Sequence, residues 1–186
     1  MSNTDQPASL AVPTDAELGA EMVEKLKTHP PLNIQRYLAL APECFDGWQS
    51  LLGGIYASGL DPRLRETVIC RVGARTACAY ELFQHEVLAG QNGVSAADLQ
   101  AILHEDPVTS LDAEAQLLCR VVDELTAGGP MSDATYAEFV TRYDSHTAMR
   151  WLVLIGHYAC VVRVLNGARV PLESSSPLAG QGSPLG

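Results

Sequence analysis

Several things are scarce in this sequence, and each scarcity narrows the reading. Basic residues are few: 12 Lys and Arg stand against 22 Asp and Glu, a formal net charge of -10. Such a chain repels phosphate backbones and anionic lipid, so neither a nucleic-acid nor a membrane-surface role is expected. The first fifteen residues, MSNTDQPASLAVPTD, hold neither a basic stretch nor an apolar run, and no secretory signal is expected. The longest apolar stretch, around residues 151–165, is broken by Gly156, His157 and Arg163 and reads as too short and too polar to span a bilayer. The five cysteines (Cys44, Cys70, Cys78, Cys119 and Cys160) are odd in number and show no tight pairing pattern, which argues against a secreted disulfide framework. The expectation is a cytoplasmic protein.

What is plentiful is apolar material. Hydrophobic residues make up 47% and charged residues only 18%, which supplies a sizeable core and excludes a disordered chain. The same balance suggests apolar surface buried between subunits, so self-association is expected. Cys70, Cys119 and Cys160 lie among Val, Ile and Leu, where cysteine behaves as a small buried hydrophobe.

The punctuation is helical throughout. Thr14 followed by Glu17 is a capping-box pattern for a helix reaching Lys27, and His29-Pro30-Pro31 ends it. Helices are expected over residues 33–40 and 42–57. Asp61-Pro62 supplies an N-cap and an N1 proline for another running to about Ala77. The next covers 78–91 and stops at Asn92-Gly93, and Ser95 with Asp98 opens a short one. Residues 112–126, 132–143 and 145–165 complete the set. No stretch alternates with a two-residue period, so no sheet is expected. The organisation is one all-α domain over residues 14–173, with a flexible N-terminus over 1–13 and a flexible tail over 174–186, whose Ser, Pro and Gly suit a loose end.

One helical face carries a possible chemistry. Cys78, Glu81 and His85 are related as i, i+3 and i+7, which places a thiol, a carboxylate and an imidazole on one side of a helix. Cys78 falls in the first turn, where the helix dipole favours thiolate. A sheltered Glu81 would hold or pass a proton near neutrality, with His85 orienting it or relaying to solvent. Glu66, on the preceding helix, shares its face with Ile69, Cys70 and Gly73, so its carboxylate must find a partner or become neutral. The same spacing also suits a plain surface pair of Glu81 with His85. Paired CxxC and HExxH arrangements are missing, so no metal or other cofactor is expected.

The run DPRLRETVICRVGARTACAYELFQHEVLA resembles the core signature of the carboxymuconolactone decarboxylase and alkylhydroperoxidase D-like family. The later run LVLIGHYACVVRVLNGARVPLE resembles that family's C-terminal helix. The resemblance covers residues 33–173 and implies an all-α single-domain bundle of the alkylhydroperoxidase D-like type. It also implies assembly as a homotrimer or homohexamer with sites near subunit contacts. In the family's peroxidase branch the signature is a Glu, eleven residues, then Cys-x-x-Cys-x-x-x-His. Glu66, Cys78 and His85 match it, but Glu81 stands at the second Cys, where no disulfide can form.

What remains resembles the decarboxylase side of the family, whose type substrate is a small carboxylated lactone. The expected function is acid–base chemistry, decarboxylation or isomerisation, on a small anionic lactone or ketoacid from aromatic-compound breakdown. Glu81 and His85 would transfer protons, Glu66 would set their charge state, and Cys78 would line the pocket. His157 and Tyr158 would contact substrate. Arg71, Arg75, Arg150 and Arg163 are candidates for attracting its charge, while His29, His104 and His146 receive no role. A thiol-dependent peroxidase or redox relay, and a non-catalytic oligomeric scaffold, are the alternatives.

Overall fold

Asp61 and Pro62 begin the helix around which everything else is arranged. The Asp61 side chain accepts the Leu64 backbone N–H at 2.9 Å, and proline at the first helical position loses no needed donor. In the computed structural model, which describes residues 10–179, the helices run in the order α1 (Asp15–Leu18), α2 (Ala20–Leu26), α3 (Asn33–Leu38), α4 (Pro42–Tyr56), α5 (Pro62–Arg75), α6 (Ala79–Gln91), α7 (Ala96–His104), α8 (Ala113–Thr126), α9 (Asp133–Arg142) and α10 (Ser145–Ala168). Among the described residues there is no strand, and the fold is all-α as expected. The same capping logic recurs: Ser95, Asp112, Ser132 and Asp144 each accept backbone N–H groups at the start of α7, α8, α9 and α10.

Helix α5 packs against α6, α7, α8 and α10, and ten successive residues from Leu64 to Gly73 are buried. A helix enclosed on all sides must satisfy its polar side chains internally. Arg71 does so by gripping both oxygens of Asp123 on α8 at 2.7 Å and donating to the carbonyls of Ile102 and Glu105 at 2.7 and 2.9 Å. One guanidinium thereby ties α5 to α8 and to the end of α7.

Helices α5 and α6 are joined by Thr76, Ala77 and Cys78, with Ala77 at φ +49° in the left-handed region. For a non-glycine residue that costs about 1 kcal/mol. The Cys78 N–H reaches back to the Gly73 carbonyl at 2.9 Å, and the Asn166 amide of α10 donates to Thr76 O at 3.1 Å. Gly73 is where the two helices meet, since a Cβ there would lie 2.9 Å from Leu82 Cδ2.

Two details depart from expectation. The first helix is broken in two by Gly19 at φ +78°, a conformation glycine adopts freely. The capping box of Thr14 and Glu17 therefore closes a single short turn. Helix α10 is longer than the apolar run suggested, at 24 residues, and by length and composition alone it could cross a bilayer. Half of its apolar window is packed inside the fold, where Trp151, Leu154, Ile155 and Leu165 belong to the core.

Of the ends expected to be flexible, residues 1–9 and 180–186 lie outside the described residues. Within them the chain is anchored at both sides. Tyr37 donates its hydroxyl to Leu10 O at 2.5 Å. Ser176 donates to Gln84 Oε1 at 2.6 Å, and Leu178 is buried.

Candidate active site

Because α5 is buried on every side, Glu66 has no route to water. Its carboxylate is fully enclosed and takes one hydrogen bond on each oxygen. Arg65 donates Nε–H to Oε1 at 3.1 Å, and His85 of α6 lies with Nδ1 2.8 Å from Oε2. Arg65 is itself buried, with its guanidinium 4.3 Å from the centre of the Tyr56 ring. A permanent cation on one oxygen leaves the other to accept from His85 Nδ1–H. That arrangement turns Nε2 toward Glu81, the next carboxylate in line.

His85 Nε2 is 3.2 Å from Glu81 Oε1. The contact lacks hydrogen-bond alignment, and Oε1 is a buried oxygen with no hydrogen-bond partner. Burial pushes the Glu81 carboxyl above its ordinary range, Glu66 adds to the rise, and His85 opposes it. For His85 burial disfavours the charge, but the Glu81 and Glu66 carboxylates outweigh it and the net shift is upward. Both members of the pair are thus biased toward keeping a proton, and they titrate as a unit.

The pair opens on a cavity of about 80 Å³ between α3, α4, α6 and α10. Its polar floor is Glu81, His85 and Gln84, and its aromatic wall is Trp48, Tyr56, His157 and Tyr158. The Tyr158 ring meets His85 on one side and His157 on another, each edge-on with centroids 5.3 Å apart. The Tyr158 and Tyr56 hydroxyls are 3.2 Å apart. One of their two protons joins the rings, and the other remains to donate elsewhere. Burial pulls His157 down to about 4, so its ring is neutral at pH 7, and its buried Nε2 has no partner.

The C-terminal residues close one side. Glu173 accepts from Tyr80 Oη at 2.5 Å, Gln84 Nε2 at 2.6 Å and Asn33 N at 2.6 Å. This clamp holds the segment after α10 against α3 and α6, and brings Leu178 into the cavity wall.

Of the residues singled out in the sequence, Glu81, His85, His157 and Tyr158 line this cavity. Glu66 stands behind His85 and supports it. Cys78 departs from expectation. It is the N-cap of α6 rather than part of its first turn, it is fully buried, and it is not among the residues lining the cavity. Burial raises its thiol, and although the backbone N–H groups of Glu81 and Tyr80 pull the other way, the net shift is upward. The helix-terminal pull toward thiolate loses to desolvation.

The arginines proposed to attract an anion are placed elsewhere. Arg71 holds Asp123, Arg75 pairs with Asp106 and Asp123, and Arg163 donates to Ala159 O at 2.6 Å. Arg150 borders a separate shallow groove with Leu51 and Val153. His29, given no role, lines the cavity. Among the described residues, no group of three His, Cys, Asp or Glu side chains could hold a metal ion. Arg65 and the Trp48, Leu52 and Tyr56 wall also escaped the sequence reading. The wall was findable, since 48, 52 and 56 share one face of α4.

Comparison with known proteins agrees with this architecture. Residues 42–124, from α4 into α8, match the model of the carboxymuconolactone decarboxylase family. No curated protein matches the chain. A solved structure from Agrobacterium tumefaciens, a protein of unknown function provisionally named an antioxidant defence protein, AhpD, superposes with a TM-score of 0.65 at 21% identity. That match covers 75% of this chain and 97% of the other, and at such identity it speaks to the fold. Residues 42–124, a little under half of the chain, thus match the model of the carboxymuconolactone decarboxylase family, and the all-α fold is one that the Agrobacterium structure shares.

Proposed function

We propose that the protein is an acid–base enzyme of lyase or isomerase type, acting on a small carbonyl compound such as a lactone or ketoacid. The observation that carries this reading is that Glu81 and His85 face the cavity together while, among the described residues, no cysteine lines it. The coupled pair would take a proton from carbon and return one, with Glu66 holding the imidazole in the required tautomer. The spare hydroxyl proton of Tyr56 and Tyr158 would stabilise the enolate oxygen that forms between the two steps. Such a protein would work in the cytoplasm without a cofactor. Its assembly as a homotrimer or homohexamer is supported by the exposed Leu51, Met149 and Val153 on α4 and α10.

The test is exchange of carbon-bound hydrogen in deuterated water, followed by NMR on a panel of small lactones and ketoacids. Glu81→Gln should slow exchange by about 10²-fold or more, the usual weight of a positioned acid–base group. Cys78→Ser should stay within a few-fold of wild type. Equal loss in both variants, or no loss in Glu81→Gln, would sink the assignment.

The thiol-peroxidase or redox-relay reading draws on the name of the Agrobacterium neighbour and on the Glu66, Cys78 and His85 pattern. Against it stand the burial of Cys78 and the carboxylate at position 81. Peroxide-dependent turnover that vanishes in Cys78→Ser would favour it.

A further inference from the structure

The cavity holds two buried polar atoms with no hydrogen-bond partner, Glu81 Oε1 and His157 Nε2. They belong to different helices, α6 and α10, and both side chains are more than nine-tenths buried. An unpartnered buried polar atom costs free energy that folding alone would not retain. Two of them in one cavity mark points where a ligand makes its polar contacts. Tyr158 stands between them in ring contact with both imidazoles.

The charge around these points decides what the ligand can be. Among the described residues, no Lys or Arg lines the cavity. The nearest buried cation, Arg65, is already committed to Glu66 and to the face of Tyr56. Of two buried carboxyl groups, Glu81 borders the cavity and Glu66 lies behind His85, and His157 is a neutral ring. The remaining walls include the apolar Ile34, Leu38, Leu52, Val161 and Leu165 and the neutral amides of Gln35 and Gln49. His85, the cavity-lining group biased toward positive charge, already faces Glu66 and Glu81. A substrate carboxylate would therefore lose its water and add a third negative group around it, the costly case for a buried charge.

We infer that the site is built for an uncharged, largely apolar carbonyl compound, held by Glu81 Oε1 at one polar point and His157 Nε2 at the other, and that it discriminates against carboxylates. This rests on the acid–base reading and narrows it. A decarboxylase needs a carboxylate in its substrate, whereas an isomerase does not. The consistent step removes a proton from the carbon beside the carbonyl to the Glu81–His85 pair. The C–H electrons become the enolate double bond, and the carbonyl oxygen takes the negative charge. Where the substrate carries a double bond between its β- and γ-carbons, the proton then returns to the γ-carbon of the conjugated enolate and the double bond moves next to the carbonyl, so nothing is oxidised or lost.

The experiment is a binding titration on the intact protein, independent of turnover. Histidine-labelled protein is titrated by NMR with γ-butyrolactone, with γ-hydroxybutyrate, and with γ-hydroxybutyramide, which matches the carboxylate in shape without its charge. The lactone and the amide should shift the His157 and His85 signals saturably, leaving the exposed His104 and His146 unmoved. The carboxylate should bind at least about tenfold more weakly than the amide, as an unpaired buried charge requires. His157→Phe should weaken the lactone and the amide alike.

Binding of the carboxylate as tightly as the amide overturns the inference. So does a failure of both neutral compounds to move His157 at millimolar concentration. If the charge preference holds but no lactone exchanges carbon-bound hydrogen, the acid–base reading falls alone. If exchange occurs only with carboxylated compounds, the substrate class falls alone.

Discussion

His85 Nδ1 stands 2.8 Å from Glu66 Oε2, an oxygen that belongs to a different helix and has no contact with solvent. The contact does two things at once. It neutralises much of the cost of enclosing a carboxylate inside α5, and it fixes which imidazole nitrogen faces Glu81. Glu66→Gln should therefore have both a stability and a chemical consequence. The amide leaves Arg65 buried without its partner carboxylate, so the variant should lose about 3 kcal/mol or more in urea unfolding. Nitrogen chemical shifts of His85 should also show the proton moving from Nδ1 toward Nε2. A variant as stable as wild type, with unchanged shifts, would mean that the pair contributes neither.

Thiol accessibility gives an independent check on the placement of Cys78. Cys44 is exposed and so, against the expectation of a buried hydrophobe, is Cys160, on a part of α10 that the core leaves uncovered, whereas Cys70, Cys78 and Cys119 are buried. A chromogenic disulfide reagent on the native protein should consume two thiols quickly and the remaining three only after denaturant is added. Because burial raises the Cys78 thiol, raising the pH to 8 should not bring it into the fast phase. Fast reaction in wild type that disappears in Cys78→Ser would show an accessible thiolate and restore the redox reading.

The helices were largely legible because their signals are local. Asp61-Pro62, Ser95 with Asp98, and Asn92-Gly93 act through backbone groups within a few residues of themselves. The trio on α6 was legible for the same reason, as i, i+3 and i+7 depend only on helical pitch. What depended on distant packing was not. Arg65 neighbours Glu66 in sequence, and adjacent residues on a helix ordinarily point apart; only enclosure of α5 makes them partners. Cys78 looked like a helix-terminal thiolate because its desolvation by the surrounding core leaves no mark in nearby residues. Leu178 joins the cavity through the Glu173 clamp, whose partners Asn33, Tyr80 and Gln84 lie roughly ninety or more positions away.

Arg71 shows the same long-range logic in the scaffold. Its planar fork takes both Asp123 oxygens and two carbonyls, a set that a lysine ammonium cannot reproduce. Arg71→Lys keeps the charge yet leaves buried acceptors unmet, so it should cost about 2–4 kcal/mol in urea unfolding. If the loss stays near that of an exposed surface change, the clamp is not what joins α5 to α8.

His157 predicts a pH dependence of stability whose sign can be worked through. Its folded value is about 4, against the ordinary imidazole value of 6.5 that holds in the unfolded chain. Between those limits the unfolded chain binds the proton and the folded protein does not, so acid favours unfolding. The contribution of neutral His157 is fully present above pH 6.5 and is lost as pH falls toward about 4, amounting to about 3 kcal/mol over the window. Glu81 and His85 act in the opposite sense, since their folded values are raised. They make a comparison of variants more informative than the wild-type curve. His157→Phe should flatten the acid limb relative to wild type when urea midpoints are measured between pH 7 and pH 4.5. Parallel limbs in the two proteins would mean that His157 is protonated in the fold, which would also remove the neutral ring from the proposed binding site.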